Sequence, residues 1–343
     1  MNELQNMLEE SVTRLFSEQV DRAFLSKVEE QGWSAELWDL VTEQGLTHVL
    51  VSEAAGGMAA SWADAFVVVR ACGRYAVPLP VGEQMLALWL LEQAGISAPQ
   101  GVIALLPEVL EAGASFNADI PRVPWGREAG HFLGLTSAGE LVLFDGSHVS
   151  VAHGQNLARE PRDTVSLKAA APIARAASSL KPDAIRWLGA MLRAAQIAGS
   201  AAACLELSVK YTSDRVQFGR ALSQFQAIQN HLAELGGSMA SVDTMARTAF
   251  LALDARGLSG SDDAGFEIAA AKCRASDSVE LLTRLSHQVH GAIGFTYEYD
   301  LQFLTRRLWS WRAEFGTSGE WGESLGRIAT ATGGDQLWAL VTK

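Results

Sequence analysis

The sequence has few basic residues and few cysteines, and both deficits exclude classes of function. Lys and Arg total 27 against 39 Asp and Glu, which leaves a net charge of -12. Because a nucleic-acid partner requires clustered cations that neutralise phosphates, this balance predicts no such partner. The three cysteines, Cys72, Cys204 and Cys273, are scattered without CxxC spacing. They predict buried thiols in a reducing compartment rather than a disulfide framework or a metal centre.

Long apolar runs, a leader segment and nucleotide-binding glycine motifs are also missing. No apolar run approaches the roughly 18 to 20 residues of a membrane span, and the N-terminus is acidic and amphipathic. We therefore predict no membrane association and a cytoplasmic location. Gly56 and Gly57 lack the rest of a phosphate-binding motif and predict a turn. His287 and His290 have no third ligand at metal-binding spacing, so no metal is predicted.

Periodicity divides the chain into three regions, and the predicted fold class is mainly α with a small β domain. Residues 1–97 carry apolar side chains at spacings of three and four, which predicts an N-terminal helical domain. Residues 98–178 contain short β-branched and aromatic runs between turn residues, which predicts a middle antiparallel β domain. Residues 179–343 predict a C-terminal helical bundle, whose first helix has a face of small residues that permits close packing.

Local signals place some of the elements inside these regions. Ser61 is the predicted N-cap of a helix over residues 62–73. The segments Ser-Ala-Gly-Glu (137–140) and Phe-Asp-Gly-Ser (144–147) predict hairpin turns. A last helix is predicted at 322–331.

Two stretches carry more than a structural helix needs. Residues 211–235 interrupt a helical pattern with Arg-Val-Gln-Phe-Gly and continue with Phe-Gln-Ala-Ile-Gln, and residues 287–307 read HQVHGAIGFTYEYDLQFLTRR. Together they resemble the C-terminal helical domain of the acyl-CoA dehydrogenases, flavoproteins that desaturate acyl-CoA thioesters. The helix, strand, helix order of the whole chain is similar to the three-domain plan of that family.

The resemblance implies an FAD site built from both stretches. In the family the Arg-x-x-Phe-Gly motif reaches the FAD of the adjoining subunit, and its matches here are Arg215, Phe218 and Gly219. Gln226 matches a glutamine that hydrogen-bonds the same cofactor. The family's Gln-x-x-Gly-Gly-x-Gly-Phe loop and the Gly-Thr segment after it supply the remaining implied contacts. Their matches are Gln288, Gly291, Gly294, Phe295 and Thr317, with Ala292 in place of the second loop glycine.

The family's catalytic base is missing from both of its usual positions. Alignment on Gly316-Thr317 puts Phe315 where the glutamate belongs, and counting back from Arg215 puts Gly189 at the alternative position. Neither residue accepts a proton, and the remaining candidate, Glu314, is offset by one residue. The Thr-Glu-Pro-x-x-Gly-Ser-Asp segment that members use to hold flavin and acyl-CoA is also absent, which predicts a shortened middle domain.

Three hypotheses follow from this pattern. The chain is a subunit of a heteromeric acyl-CoA dehydrogenase whose partner supplies the base, or a homomeric flavoenzyme that uses Glu314, or a non-catalytic assembly protein. The sequence favours the first hypothesis. The residues that would contact the FAD of an adjoining subunit are kept, whereas the catalytic base within the same chain is lost. The resemblance implies an acyl-CoA substrate and electron transfer flavoprotein as acceptor. It also implies a homo- or heteromeric dimer or tetramer with a second chain of this family.

Overall fold

The computed structural model describes residues 2–260 and 262–342. The helices are α1 (Glu3–Gln19), α2 (Arg22–Gln31), α3 (Ala35–Glu43), α4 (Trp62–Arg74), α5 (Val81–Gln93), α6 (Ala184–Asp214), α7 (Gln226–Arg256), α8 (Gly265–His290), α9 (Leu301–Trp311), α10 (Ser318–Thr332) and α11 (Gly334–Val341). The strands are β1 (Ile103–Leu105), β2 (Phe116–Pro124), β3 (His131–Leu135), β4 (Glu140–Asp145), β5 (Val149–Ala152), β6 (Arg162–Ala170), β7 (Ala174–Ala177), β8 (Val216–Gln217) and β9 (Arg220–Ala221). The mainly α fold with a small β region is confirmed.

The N-terminal helices pack around α4 and α5. As predicted, Ser61 caps α4: its hydroxyl accepts from the Asp64 amide, and the Asp64 carboxylate accepts from the Ser61 amide. Helix α5 is almost entirely buried, and its mainly apolar residues enclose two buried polar side chains, Glu83 and Gln84. The Gly56-Gly57 turn is confirmed, and a Cβ at Gly57 would collide with backbone oxygens of Val51 and His48.

The strands form two sheets, and the predicted antiparallel pattern needs two corrections. One sheet has the order β1-β3-β4-β7 and the other β2-β6-β5, with β8 and β9 forming a separate hairpin. The β1–β3 pairing is parallel, so the first sheet is mixed. The 137–140 hairpin turn is confirmed between β3 and β4. The 144–147 hairpin is wrong: Asp145 accepts from the Ser147 amide, and the resulting corner leads from β4 into the other sheet.

Helix α6 is the centre of the C-terminal region and packs against α4, α7, α8 and α9. It crosses α4 at van der Waals contact of the two backbones. A Cβ on Gly199 would collide with the Arg70 carbonyl oxygen, and a Cβ on Gly73 would collide with that of Gln196. By length and composition α6 could cross a membrane, but 94% of its apolar window is buried inside the fold. It therefore has the character of a core helix.

The C-terminal end of the chain is more helical than predicted. Helix α10 begins at Ser318, four residues before the predicted start, because Thr317 and Glu320 form a capping box at its N-terminus. Helix α11 was not predicted. It leaves Leu337, Trp338 and Val341 partly exposed.

Candidate functional site

The first predicted cofactor stretch forms the end of α6 and an exposed hairpin. Arg215 is the C-cap of α6, and its amide donates to the Tyr211 carbonyl. Phe218 (φ 51°) and Gly219 (φ 80°) adopt left-handed conformations at the tip between β8 and β9. The Phe218 side chain is 91% exposed, so the hairpin presents an aromatic ring to whatever lies outside this chain.

The second stretch forms the end of α8 and the turn that follows it. Gln288 lies in the last turn of the helix, Gly291 (φ 64°) is its C-cap, and Ala292 lies in the 3₁₀ turn at Gly291–Phe295. A cavity of about 760 Å³ opens here between α8 and α9. Gln288, Gly291 and Phe295 line it together with other polar and aromatic side chains, among them Arg284, Tyr297, Arg306 and Trp309.

These surfaces fit part of an FAD molecule. Of the residues assigned to the cofactor, all but the buried Gly294 are exposed: Arg215, Phe218, Gly219, Gln226, Gln288, Gly291, Ala292, Phe295 and Thr317. Within the described part of the chain, Arg215 has no carboxylate within salt-bridge distance, which leaves its guanidinium free for a phosphate. Planar aromatic surface, glutamine amides and an open cavity complete a set of groups suited to a nucleotide. The hydroxyl of Thr317 is engaged with Glu320, so its cofactor role stays a prediction.

The two positions assigned to a catalytic base lie against each other. Gly189 is buried on α6, and a Cβ there would collide with the ring of Phe315. Phe315 (φ 56°) adopts a left-handed conformation in the turn after α9, and its ring also faces the Arg193 guanidinium at 5.4 Å. The Phe315 ring therefore packs onto the surface where a base from either position would stand.

Glu314 is buried between two arginines. Its Oε1 accepts from Nε of Arg162 at 2.7 Å, and its Oε2 accepts from Nε of Arg193 at 2.7 Å. Asn156 donates a further hydrogen bond to Oε1. Although burial opposes ionisation, the charges of Arg162 and Arg193 lower the pKa of Glu314 to about 2. A carboxylate held in this state is a weak proton acceptor.

Glu314 belongs to an interdomain ion cluster. Its members are Glu83, Glu160, Arg162, Arg193, Arg307 and Glu314, all with side chains at most 5% exposed. The three carboxylates balance the three guanidinium groups. Arg193 donates to Glu83 at 2.6 Å, and Arg307 lies 3.1 Å from Glu160. The cluster ties α5 to the middle region, to α6 and to the segment after α9.

Lys272 supports the turn that carries Glu314 and Phe315. Its buried amine donates at 2.9 Å to the carbonyl oxygens of Trp311 and Arg312 and to the Ser276 hydroxyl. The two carbonyls are at the C-terminal end of α9, where the backbone lacks helical donors. Burial lowers the pKa of Lys272 to about 7, although the Glu314 charge opposes the shift.

Apart from Thr317, which lies two residues from Phe315, the candidate cofactor residues and the base positions lie at opposite ends of α6. From Gly189 to Asp214 the helix advances about 37 Å at 1.5 Å per residue. The sequence predicted the residues in both places but did not predict the ion cluster. One signal was present in the sequence: between Trp187 and Leu205 of α6, Arg193 is the single charged residue, and an unpaired charge among those apolar and small residues would be costly.

Two family models match separate parts of the chain. The family described as "Acyl-CoA dehydrogenase, N-terminal domain" matches residues 2–99, and "Acyl-CoA dehydrogenase, C-terminal domain" matches residues 188–324. The acyl-CoA dehydrogenase IpdE2 of Mycolicibacterium smegmatis is 30% identical over 321 residues, which cover 90% of this chain and 93% of the relative.

Two solved structures share the fold at low sequence identity. A chain of the ChsE4-ChsE5 complex from Mycobacterium tuberculosis superposes with a TM-score of 0.89 and 17% identity, covering 97% of this chain and 99% of that chain. A chain of the Tcur3481-Tcur3483 steroid ACAD G363A variant gives a TM-score of 0.82 and 20% identity, with coverage of 95% and 98%.

Proposed function

Because this chain belongs to the acyl-CoA dehydrogenase family of FAD-dependent oxidoreductases, we propose that it is one subunit of a heteromeric acyl-CoA dehydrogenase whose partner chain supplies the catalytic base. One observation carries the proposal. The side chains that match the family's cofactor contacts, Arg215, Phe218, Gln226 and Gln288, are exposed, while the Phe315 ring packs on Gly189 where the base should stand.

The proposal follows from what each end of α6 offers. At one end, Arg215, Phe218 and Gln288 are exposed, and their side chains are suited to contact a nucleotide that the partner subunit binds. At the other end, neither Gly189 nor Phe315 titrates, and Glu314 is neutralised by two arginines. Because the two ends are about 37 Å apart along the helix, the outward residues serve a flavin site other than the one beside Phe315.

The division of labour in the complex follows from this placement. When bound, FAD would supply the acceptor for the hydride that leaves the acyl β-carbon. Arg215 would neutralise phosphate charge, the Phe218 ring would pack on the cofactor, and the Gln288 amide would hydrogen-bond to it. The α-proton is taken by a carboxylate of the partner. We further propose a cytoplasmic location and electron transfer flavoprotein as acceptor, as in the family.

The substrate class follows from the same family context. Relatives of this fold include a steroid ACAD and a two-component ChsE4-ChsE5 complex. The missing Thr-Glu-Pro-x-x-Gly-Ser-Asp segment shortens the wall around the acyl site and suits a bulky acyl group. We propose an acyl-CoA with a branched or ring-containing acyl part as substrate.

The alternative of a homomeric enzyme that uses Glu314 requires this carboxylate to leave both arginines. Such a movement would leave Arg162 and Arg193 buried with less compensation, which is strongly unfavourable. A purely non-catalytic assembly protein would have no use for an unpaired Arg215 or for an aromatic ring at the hairpin tip.

Flavin stoichiometry tests the proposal. The protein is purified alone and after coexpression with acyl-CoA dehydrogenase-like chains encoded beside it, and the flavin-to-chain ratio is read from the absorption spectrum. We expect little flavin in the single chain and about one flavin per two chains in the complex. A full complement of one flavin per chain in the protein alone would overturn the proposal.

Arg215→Ala is expected to weaken flavin binding in the complex. Loss of a charge-assisted contact to phosphate costs about 1.5 to 3 kcal/mol, which raises the flavin dissociation constant by roughly tenfold to a hundredfold. Flavin fluorescence during dilution measures the change. Arg14, an exposed arginine on α1, provides the matched control. Arg14→Ala should leave the flavin dissociation constant unchanged. Equal effects of both variants would contradict a specific role for Arg215.

A further inference from the structure

Two histidines connect the candidate cofactor stretches, and neither the proposed contacts nor the reaction uses them. His287 and His290 flank Gln288 in the last turn of α8. In the described part of the chain, no cluster of three or more metal-ligating side chains is present, so the pair needs another explanation. Each imidazole stacks face to face on an aromatic ring, and the two rings belong to different stretches.

His290 holds the end of α8 against the end of α6. Its ring stacks on Tyr211 with centroids 4.7 Å apart and an interplanar angle of 25°. Tyr211 accepts the amide of Arg215 at its carbonyl, so the stacked pair lies directly beneath that C-cap. Nδ1 of His290 donates to the Ser286 carbonyl at 2.7 Å, whereas the buried Nε2 makes no hydrogen bond to the described residues in the neutral ring. The neutral imidazole satisfies this arrangement.

His287 holds the turn that follows α8. Its ring stacks on Phe295 with centroids 4.0 Å apart and an interplanar angle of 14°. Nε2 pairs with the Thr305 hydroxyl on α9 at 3.0 Å, and the buried Nδ1 is without a hydrogen-bond partner. The turn between Gly291 and Phe295 is thereby fixed at both ends, by the helix at one and by the stacked ring at the other.

We propose that His287 and His290 are positioning residues for the cofactor, which in their neutral form align the Arg215 hairpin with the Gln288 turn and on protonation release both. This inference rests on the proposed function, since it assigns a regulation to the same flavin-contacting surface. Protonation adds an N–H at a buried ring nitrogen that makes no hydrogen bond in the neutral state, and near His290 the Leu207 carbonyl only partly offsets that cost. The result is a cofactor surface that loosens in acid.

The electrostatic surroundings favour the neutral rings. Burial lowers the pKa of His287, and the neighbouring His290 adds to the shift. Burial also lowers the pKa of His290, although the carbonyls of Ser286 and Leu207 oppose it. The charged and titratable groups near the pair are Glu280 and Arg284 on α8, Arg306 on α9, and two tyrosines that contact His290, Tyr211 and Tyr299. Tyr299 in turn lies near Asp214 and Asp300.

The sign of the pH effect follows from these directions. A histidine whose pKa is lowered on folding contributes its full stabilisation above the ordinary value of 6.5. That contribution is lost as the pH falls from 6.5 through the lowered value of the folded state. Flavin affinity should therefore be flat in neutral and mildly basic solution and should fall in acid.

The experiment compares flavin affinity of the assembled complex at about pH 7.5 and about pH 5.5, for wild type and for variants that keep or remove the stacking. In wild type we expect the flavin dissociation constant to rise at the lower pH, by up to about tenfold per pH unit for each histidine that takes up a proton. The double variant His287→Phe, His290→Phe keeps flat rings without titration and should lose this acid dependence. His148, an exposed histidine near β5, provides the matched control, and the variant His148→Gln should behave as wild type.

A second measurement separates this inference from the proposed function. Amide hydrogen exchange of the flavin-free chain, corrected for the intrinsic pH effect, reports residues 212–217 and 291–300 directly. We expect His290→Ala to accelerate exchange in both segments at neutral pH. A complex that never binds flavin defeats the proposed function but leaves this expectation intact. Unchanged exchange, or unchanged acid dependence in the double phenylalanine variant, overturns the histidine assignment.

Discussion

Gly199→Ala is expected to destabilise the protein more than any other single methyl addition discussed for this fold. The added Cβ would collide with the Arg70 carbonyl oxygen and press on the Arg74 amide, both of which belong to the α4 backbone. Because backbone atoms cannot rotate away as a side chain does, α4 and α6 must separate and open the core between them. We expect a loss of about 3 kcal/mol or more, measured by denaturant unfolding.

The matched control for this variant is Gly237→Ala. Gly237 also lies inside a long helix, but no atom comes within 4 Å of the Cβ that would be added there. Alanine should therefore stabilise α7 by about 0.5 to 1 kcal/mol through its helix propensity. Similar stabilities for both variants would mean that α4 and α6 do not make the backbone contact described above.

Among substitutions that replace a side chain by one of the same shape, Glu314→Gln should lower the stability of the fold most. The amide cannot neutralise Arg162 and Arg193, which would remain buried with only Glu83 and Glu160 as counter-ions. The lowering of the pKa from 4.5 to about 2 corresponds to about 3 kcal/mol of stabilisation at neutral pH. Denaturant unfolding measures the loss, and Glu323→Gln on the exposed side of α10 should show none.

The pH dependence distinguishes this role from a catalytic one. The folded pKa of Glu314 is lower than the unfolded value, so its contribution is complete above 4.5 and disappears as the pH falls from 4.5 towards 2. Glu314→Gln should remove that part of the acid-unfolding curve. The folded fraction of the variant complex should keep its turnover, and a flavin-loaded, folded complex without turnover would instead identify Glu314 as the base.

The sequence was informative wherever the relevant signal is local. Ser61 was recognised as an N-cap because the capping box involves residues only three positions apart. Counting positions from the cofactor motifs also identified Gly189 and Phe315 as a pair without a carboxylate. The structure adds that the two residues are in contact. Arg215, Phe218 and Gln288 were selected by motif, and the structure places all three on the surface.

Ion pairs between residues far apart in the sequence could not be predicted. The Arg162–Glu314 contact joins residues 152 positions apart, and no spacing or periodicity marks such a pair. Glu314 looked like a displaced base because its environment was unknown, and only its two arginine partners define it as a buried counter-ion. The corner at Asp145 was misjudged for a related reason, since an Asp-Gly turn does not reveal which sheet receives the next strand.

The ion cluster also determines when a newly synthesised chain can complete its buried ion pairs. Arg193 follows Glu83 by 110 residues, and Glu314 follows Arg193 by 121. At about 5 to 20 residues per second, the ribosome delivers each successive partner on the order of ten seconds after the previous one. During that interval α5 emerges with a carboxylate whose counter-ion has not yet been synthesised. Final closure of the interior therefore waits until Glu314 has been synthesised.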